Sequence, residues 1–181
     1  MTLFKTAGSR LRGVHSSWRA VDGAALLLRF VLGFVFVAHG AQKLFGWFGG
    51  GGIDGTAAFF KSIGIPAEHV FAVLVGLTEF VGGLLILTGL LTVAASLALI
   101  VDMAVAIATL KHAHGFFVDP PSPDGGWEYN FVLIGLLGAL TLIGAGRWSI
   151  DRAVGLARDE AKAAPPQSPA PPPLRVPAGV G

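Results

Sequence analysis

Apolar positions along the chain gather into four long runs, at about 23–44, 70–90, 92–110 and 129–146, with polar residues concentrated between and outside them. Each run approaches the roughly 20 residues that a helix needs to cross the hydrocarbon of a bilayer. None alternates polar with apolar positions, which argues against the strands of a membrane barrel. The pattern therefore predicts an all-α membrane protein, a bundle of four transmembrane helices. Runs two and three are separated only around Leu91, so they should form a tight antiparallel hairpin. Between runs one and two, the stretch IDGTAAFFKSIGIPAEHV predicts a short amphipathic helix from about Asp54 to Ser62 in the first outer loop. Phe59 and Phe60 would rest at the membrane surface, SIGIP would form a turn, and Pro66 would open the second span. Basic residues precede the first run and AHGA resembles a cleavage site, but the run exceeds the ~7–15 apolar residues of a signal peptide. It reads as a span.

Composition supports this picture. Of 181 residues, 53% are hydrophobic and 13% charged, where a soluble domain usually carries about 25% charged residues; the mean hydropathy is +0.69. The chain divides into a basic arm at 1–21, the four-span domain at 22–155, and a tail at 156–181 that contains seven of the eleven prolines. The tail is too rich in proline to pack a core and predicts a disordered or polyproline-like extension.

Charge sets the expected orientation. The N-terminal arm holds Lys5, Arg10, Arg12 and Arg19, and the C-terminal segment holds Arg147, Arg152, Arg158, Lys162 and Arg175, against only Lys43, Lys61 and Lys111 in the opposite loops. Cytoplasmic loops are enriched in Lys and Arg, so both termini are expected in the cytoplasm, with the protein multi-pass in the cytoplasmic (inner) membrane. Trp18 and Trp148 then mark the inner boundary and Trp47 and Trp127 the outer one. The pI near 9.3 is explained by this topology and not by nucleic acid. The absence of cysteine excludes disulfides, thiolate metal sites and any thiol relay within this chain.

Three ionisable residues fall inside the spans: Arg29, Glu79 and Asp102. At ~1.5 Å per residue, Glu79 and Asp102 lie roughly 15 Å from the membrane surface and Arg29 roughly 10 Å from the inner side. A charge near mid-depth costs about 2.5–3.5 kcal/mol on insertion scales, so a partner or a function is expected. Two readings stand side by side. In one, the Arg29 guanidinium bridges Glu79 and Asp102 in a structural ion cluster; in the other, Glu79 and Asp102 form a proton relay or a polar patch for a ligand head group.

A second group of polar residues converges on the outer side. His39, Gln42 and Lys43 end the first run, His112 and His114 end the third, and Glu128 and Asn130 begin the fourth. His39 and Lys43, four residues apart, share a helix face. Such a rim suits the oxygen-rich head group of a ligand such as a quinone, with imidazole passing protons. The H-x-H spacing of His112 and His114, completed by His39 and Glu128, is a weaker signal for haem or metal. Interfacial polar residues at a helix end are the plainer account, and no metal site is assigned.

The segments HGAQKLFG at 39–46, GLTEFVGGLLILTGLLT at 76–92 and GAGRWSID at 144–151 resemble the DoxX family, over about residues 22–155. The resemblance implies a compact four-helix bundle in the cytoplasmic membrane and a link to respiratory and oxidative-stress redox chemistry, since the broader family is similar to the membrane subunit of a thiosulfate:quinone oxidoreductase. His39, Gln42, Lys43, Glu79, Gly82, Gly83 and Asp151 match its motif positions. Whether this chain is itself an enzyme stays open. The leading expectation is a subunit that binds a quinone or lipid-like ligand and serves redox partner proteins; the alternative is a non-enzymatic scaffold working through its arms and tail. A small-solute carrier ranks below both, because no inverted repeat is visible. Gly76, Gly82, Gly83 and Gly89 predict tight helix packing along the second span, mostly within the chain, with a homodimer open.

Overall fold

A computed structural model describes residues 3–111, 115–118 and 125–156, with side chains described for 19–109, 115–118 and 125–156. The proline-rich tail from 157, His112 and His114, and the side chains of the basic arm before Arg19 lie outside the described set. Among the described residues all regular structure is helical, without strands. The elements are α1 (Leu3–Phe45), α2 (Gly52–Ser62), α3 (Glu68–Thr88), α4 (Thr92–Ala106), α5 (Glu128–Ile143) and the single turn α6 (Ile150–Ala153). A 3-10 turn, Trp47–Gly49, follows α1, and a π-helical turn, Ile107–Lys111, continues α4. Three stretches, Arg19–Phe45, Glu68–Thr88 and Thr92–Thr109, are long and apolar enough to cross a membrane, and Glu128–Ile143 is a shorter apolar helix.

The bundle is inverted relative to a soluble one. Its exterior displays large apolar side chains, among them Leu27, Phe30, Phe34, Val101 and Leu142, far beyond the patches a soluble monomer tolerates. The interior is a core of Leu32 and Phe36 from α1, Ile86 from α3, Leu99 and Met103 from α4, and Leu133, Leu137 and Leu140 from α5. A smaller cluster of Ala57, Phe60 and Ala72 seats α2 on α3.

Glycines bring α1 and α3 together, as small residues do where lipid supplies no hydrophobic drive. A methyl group on Gly83 would lie 2.7 Å from the Val37 nitrogen and 2.9 Å from the Gly33 carbonyl oxygen, and one on Gly76 would meet the Leu44 side chain at 2.7 Å and the Lys43 Cβ at 3.5 Å. These contacts set the antiparallel register, with Lys43 level with Gly76. Gly82 points the other way, against Leu99 of α4.

The α3–α4 hairpin predicted around Leu91 is present. Helix α3 ends in a Schellman motif: Gly89 N–H donates to Ile86 O (3.1 Å), Leu90 N–H donates to Leu85 O (2.9 Å), and Gly89 takes φ +69°. Asp151 then caps α4, accepting from Leu91 N–H at 2.7 Å and Thr92 N–H at 3.0 Å. Pro66 does not open α3; it lies in the preceding turn, and Ala67, in the left-handed region at φ +49°, intervenes before Glu68.

Candidate functional site

Arg29 departs from the expected ion cluster. Its guanidinium donates to the carbonyls of Ile86 (3.0 Å), Leu87 (2.8 Å), Ala145 (3.1 Å) and Trp148 (2.6 Å). It thus adds donors to carbonyls in the last turn of α3, where helical partners run out, and ties that turn to the segment between α5 and α6. The three-residue clasp is replaced by this carbonyl cradle at one end of the bundle and a separate acidic site deeper in it.

At that deeper site, Lys43 Nζ donates to Glu79 Oε2 at 2.6 Å, with only 5% of the Glu79 side chain exposed. From sequence these residues belong to different groups, the lysine to the rim and the glutamate to mid-depth. The glycine register removes the difference by placing the end of α1 level with Gly76, one turn from Glu79. Helix α2 then folds back over this end and covers it.

Both residues line a cavity of about 730 Å³, within the ~300–1,000 Å³ usual for small-molecule sites. Of the residues singled out in the sequence, His39, Gln42, Lys43, Glu79, Asp102 and Asn130 reach its wall, and Glu128 does not. The neighbours of Glu128, Tyr129 and Asn130, face it instead. The Tyr129 ring stands 6.3 Å from that of His39, and buried Asn130 is held by a 3.3 Å contact from its Nδ2 to Met103 sulfur. Asp102 contributes a buried carboxylate oxygen, Oδ2, that has no hydrogen-bond partner among the described residues. Gln42 serves as a strut at the edge: its side-chain amide donates to Phe48 O at 3.4 Å, and its backbone carbonyl accepts from Gly46 N–H at 3.2 Å.

The remaining wall is apolar and was not singled out in the sequence as part of a site. Phe36, Met103 and Leu133 close the inner side, while Phe59, Phe60 and Ile65 of the α2 region form a roof. The amphipathic spacing of α2 was the available signal, since its buried face had to cover something. In the first turn of that helix the Thr56 hydroxyl donates back to Gly52 O at 2.8 Å. Chemically the site offers a cationic donor already paired, an unpaired carboxylate oxygen, an imidazole, a phenol and an amide inside an apolar enclosure. That combination suits a largely apolar molecule with a small hydrogen-bonding head. Among the described residues no three His, Asp or Glu side chains are grouped to hold a metal ion.

The DoxX family model matches residues 24–112, and an uncharacterized membrane protein of Mycobacterium tuberculosis, Rv3486, is 36% identical over 141 residues, covering 71% of this chain and 80% of the relative. The chain belongs to the DoxX family. A second relative, from Bacillus subtilis and named "Putative oxidoreductase CatD", is 30% identical over 116 residues, covering 64% of this chain and 75% of its own length. No solved structure matches. The family model spans the first three apolar helices, and so includes every cavity residue of α1 to α4, with the Lys43–Glu79 pair and Asp102 among them. This DoxX protein is a multi-pass membrane protein whose apolar helices contact the lipid bilayer.

Proposed function

We propose that this DoxX protein binds a quinone or similar lipid-soluble ligand in the α1–α5 cavity and serves as the membrane subunit of a redox complex in the cytoplasmic membrane. The observation that carries the reading is the convergence of the Lys43–Glu79 pair, the unpaired Asp102 Oδ2 and His39 on one apolar enclosure. Intramembrane ionisable groups facing a cavity mark ligand or proton pathways. The name of the B. subtilis relative supports a redox setting.

The donor set fits a quinone head group. Lys43 and His39 donate to its carbonyl oxygens, and Asp102 accepts from a hydroxyl of the reduced form. Quinone chemistry takes up a proton with each electron; with no cysteine in the chain its own thiols do not supply the electrons, which come from a partner or a bound redox group, and Glu79 and Asp102 hold and release the protons. Both termini are assigned to the cytoplasm on the Lys and Arg distribution.

The test uses protein isolated from its native membrane in nanodiscs, with bound small molecules extracted for mass spectrometry. A near-stoichiometric quinone in the wild type, lost in a correctly folded Lys43→Met/Glu79→Gln double variant, is expected. Quinone absent from the wild type, or retained in full by the double variant, would sink the assignment.

A further inference from the structure

The cavity is continued by a cleft that the head-group reading leaves unexplained. Helices α3 and α4 are joined at the Gly89–Leu91 turn and pack tightly up to Gly82, where a methyl group would sit 3.2 Å from the Leu99 side chain. Beyond this level the cavity lies between them. Its α3 wall is Glu79, Val75 and Phe71, at successive steps of four residues, and its α4 wall is Asp102, Val105 and Thr109, at steps of three and four. Such spacings put each trio on one helix stripe. The two stripes run from paired carboxylates in the interior to Phe71 and Val105, which are 42% and 52% exposed on the bundle surface. That surface is apolar and faces lipid. At this end α4 gives way to the π-helical turn Ile107–Lys111, which carries Thr109; such turns recur at functional sites.

Two features select the occupant. Between the carboxyl groups and the surface the cleft walls are apolar apart from Thr109, which suits the hydrocarbon chain of a lipid-soluble molecule. At its inner end the Asp102 Oδ2 is buried without a hydrogen-bond partner among the described residues, and leaving a buried polar group so unsatisfied is costly. Glu79 already has its donor in Lys43. A ligand hydroxyl, able to donate or to accept, is the partner that suits this carboxyl group.

We infer that the α3–α4 cleft is a lateral portal through which a single-tailed amphiphile with a hydroxyl-bearing ring enters from the bilayer. Its chain lies between Phe71–Val75 and Val105–Thr109, and its hydroxyl hydrogen-bonds to the Asp102 carboxyl group. This inference rests on the head-group site proposed above and adds the route, the tail position and the hydrogen-bonding form of the ligand.

The experiment compares decylbenzoquinol with tail-less benzoquinol, both kept reduced, on the full chain in nanodiscs. Val105 is already half exposed, so Val105→Trp narrows the mouth without loading the core. It is expected to weaken decylbenzoquinol about tenfold while leaving benzoquinol within about twofold. Phe71→Ala, which widens the mouth from the other helix, is expected to raise the association rate of decylbenzoquinol about threefold with benzoquinol unchanged. Asp102→Asn is expected to weaken both probes. An unchanged decylbenzoquinol affinity in Val105→Trp together with an unchanged association rate in Phe71→Ala overturns the portal, as does an equal effect of these substitutions on the two probes. If the wild type binds neither probe, the head-group site falls and the portal with it; binding of both probes with no discrimination by the mouth variants removes the portal alone.

Discussion

From sequence Lys43 belongs to the outer polar rim, on one helix face with His39, and only its surroundings show which group it meets. The structure gives it Glu79 at 2.6 Å. Removing one member of a buried pair leaves an uncompensated charge, at about 3–5 kcal/mol, whereas removing both is often nearly neutral. We expect Lys43→Met to lower stability by about 3 kcal/mol and the Lys43→Met/Glu79→Gln double variant to recover most of it, as measured by denaturant unfolding in detergent micelles. Additive losses would show that the pair is not coupled. Arg29 teaches the complementary lesson. Its burial in an apolar run announced that it must have partners, but charge counting suggested carboxylates, and the partners are four carbonyls. Backbone acceptors freed at a helix end leave no mark in the pattern of charged residues.

Among the elements, α3 shows how two adjacent glycines take different tasks. Gly83 meets backbone atoms of α1, and Gly82 meets only the flexible end of Leu99. Alanine gains about 1 kcal/mol of helix propensity over glycine, while overpacking costs about 1–3 kcal/mol or more where the neighbour cannot yield. Gly82→Ala should therefore leave the unfolding midpoint nearly unchanged, and Gly83→Ala should lower it clearly. Equal effects of the two would contradict the α1–α3 packing described here. The GG pair was legible as a packing signal, but which glycine faced which helix was not, because adjacent residues diverge by about 100° around the axis and the neighbours are chosen by the whole bundle. Helix α2 was legible as well, since its apolar face is written in the spacing of Ala57 and Phe60. What that face covers was not.

At the level of the whole molecule, the all-helical membrane class and the family follow from runs of apolar residues and from motifs within about 22–155. The bilayer makes this inference direct, because a spanning segment must satisfy its own backbone hydrogen bonds and do so over a fixed length. The assigned orientation is open to a simple check, aided by the lack of native cysteine. With single-cysteine variants in intact cells, a membrane-impermeant maleimide should label Ser62→Cys directly and Ala153→Cys only after permeabilisation; the reverse pattern would invert the topology. The site was legible in its parts. His39, Gln42, Lys43, Glu79 and Asp102 were all singled out, yet as two groups at different depths, and Tyr129 was not among them. By itself the sequence determined where lipid must touch the chain and which side chains are too polar to remain there unpartnered, since both follow from local transfer free energies. Tertiary structure alone decided that Arg29 holds carbonyls, that Lys43 descends to Glu79, and that Asp102 keeps an oxygen free in a shared cavity. Those outcomes depend on the register of α1 against α3 and on the fold-back of α2, set by close backbone approach between residues distant in the chain.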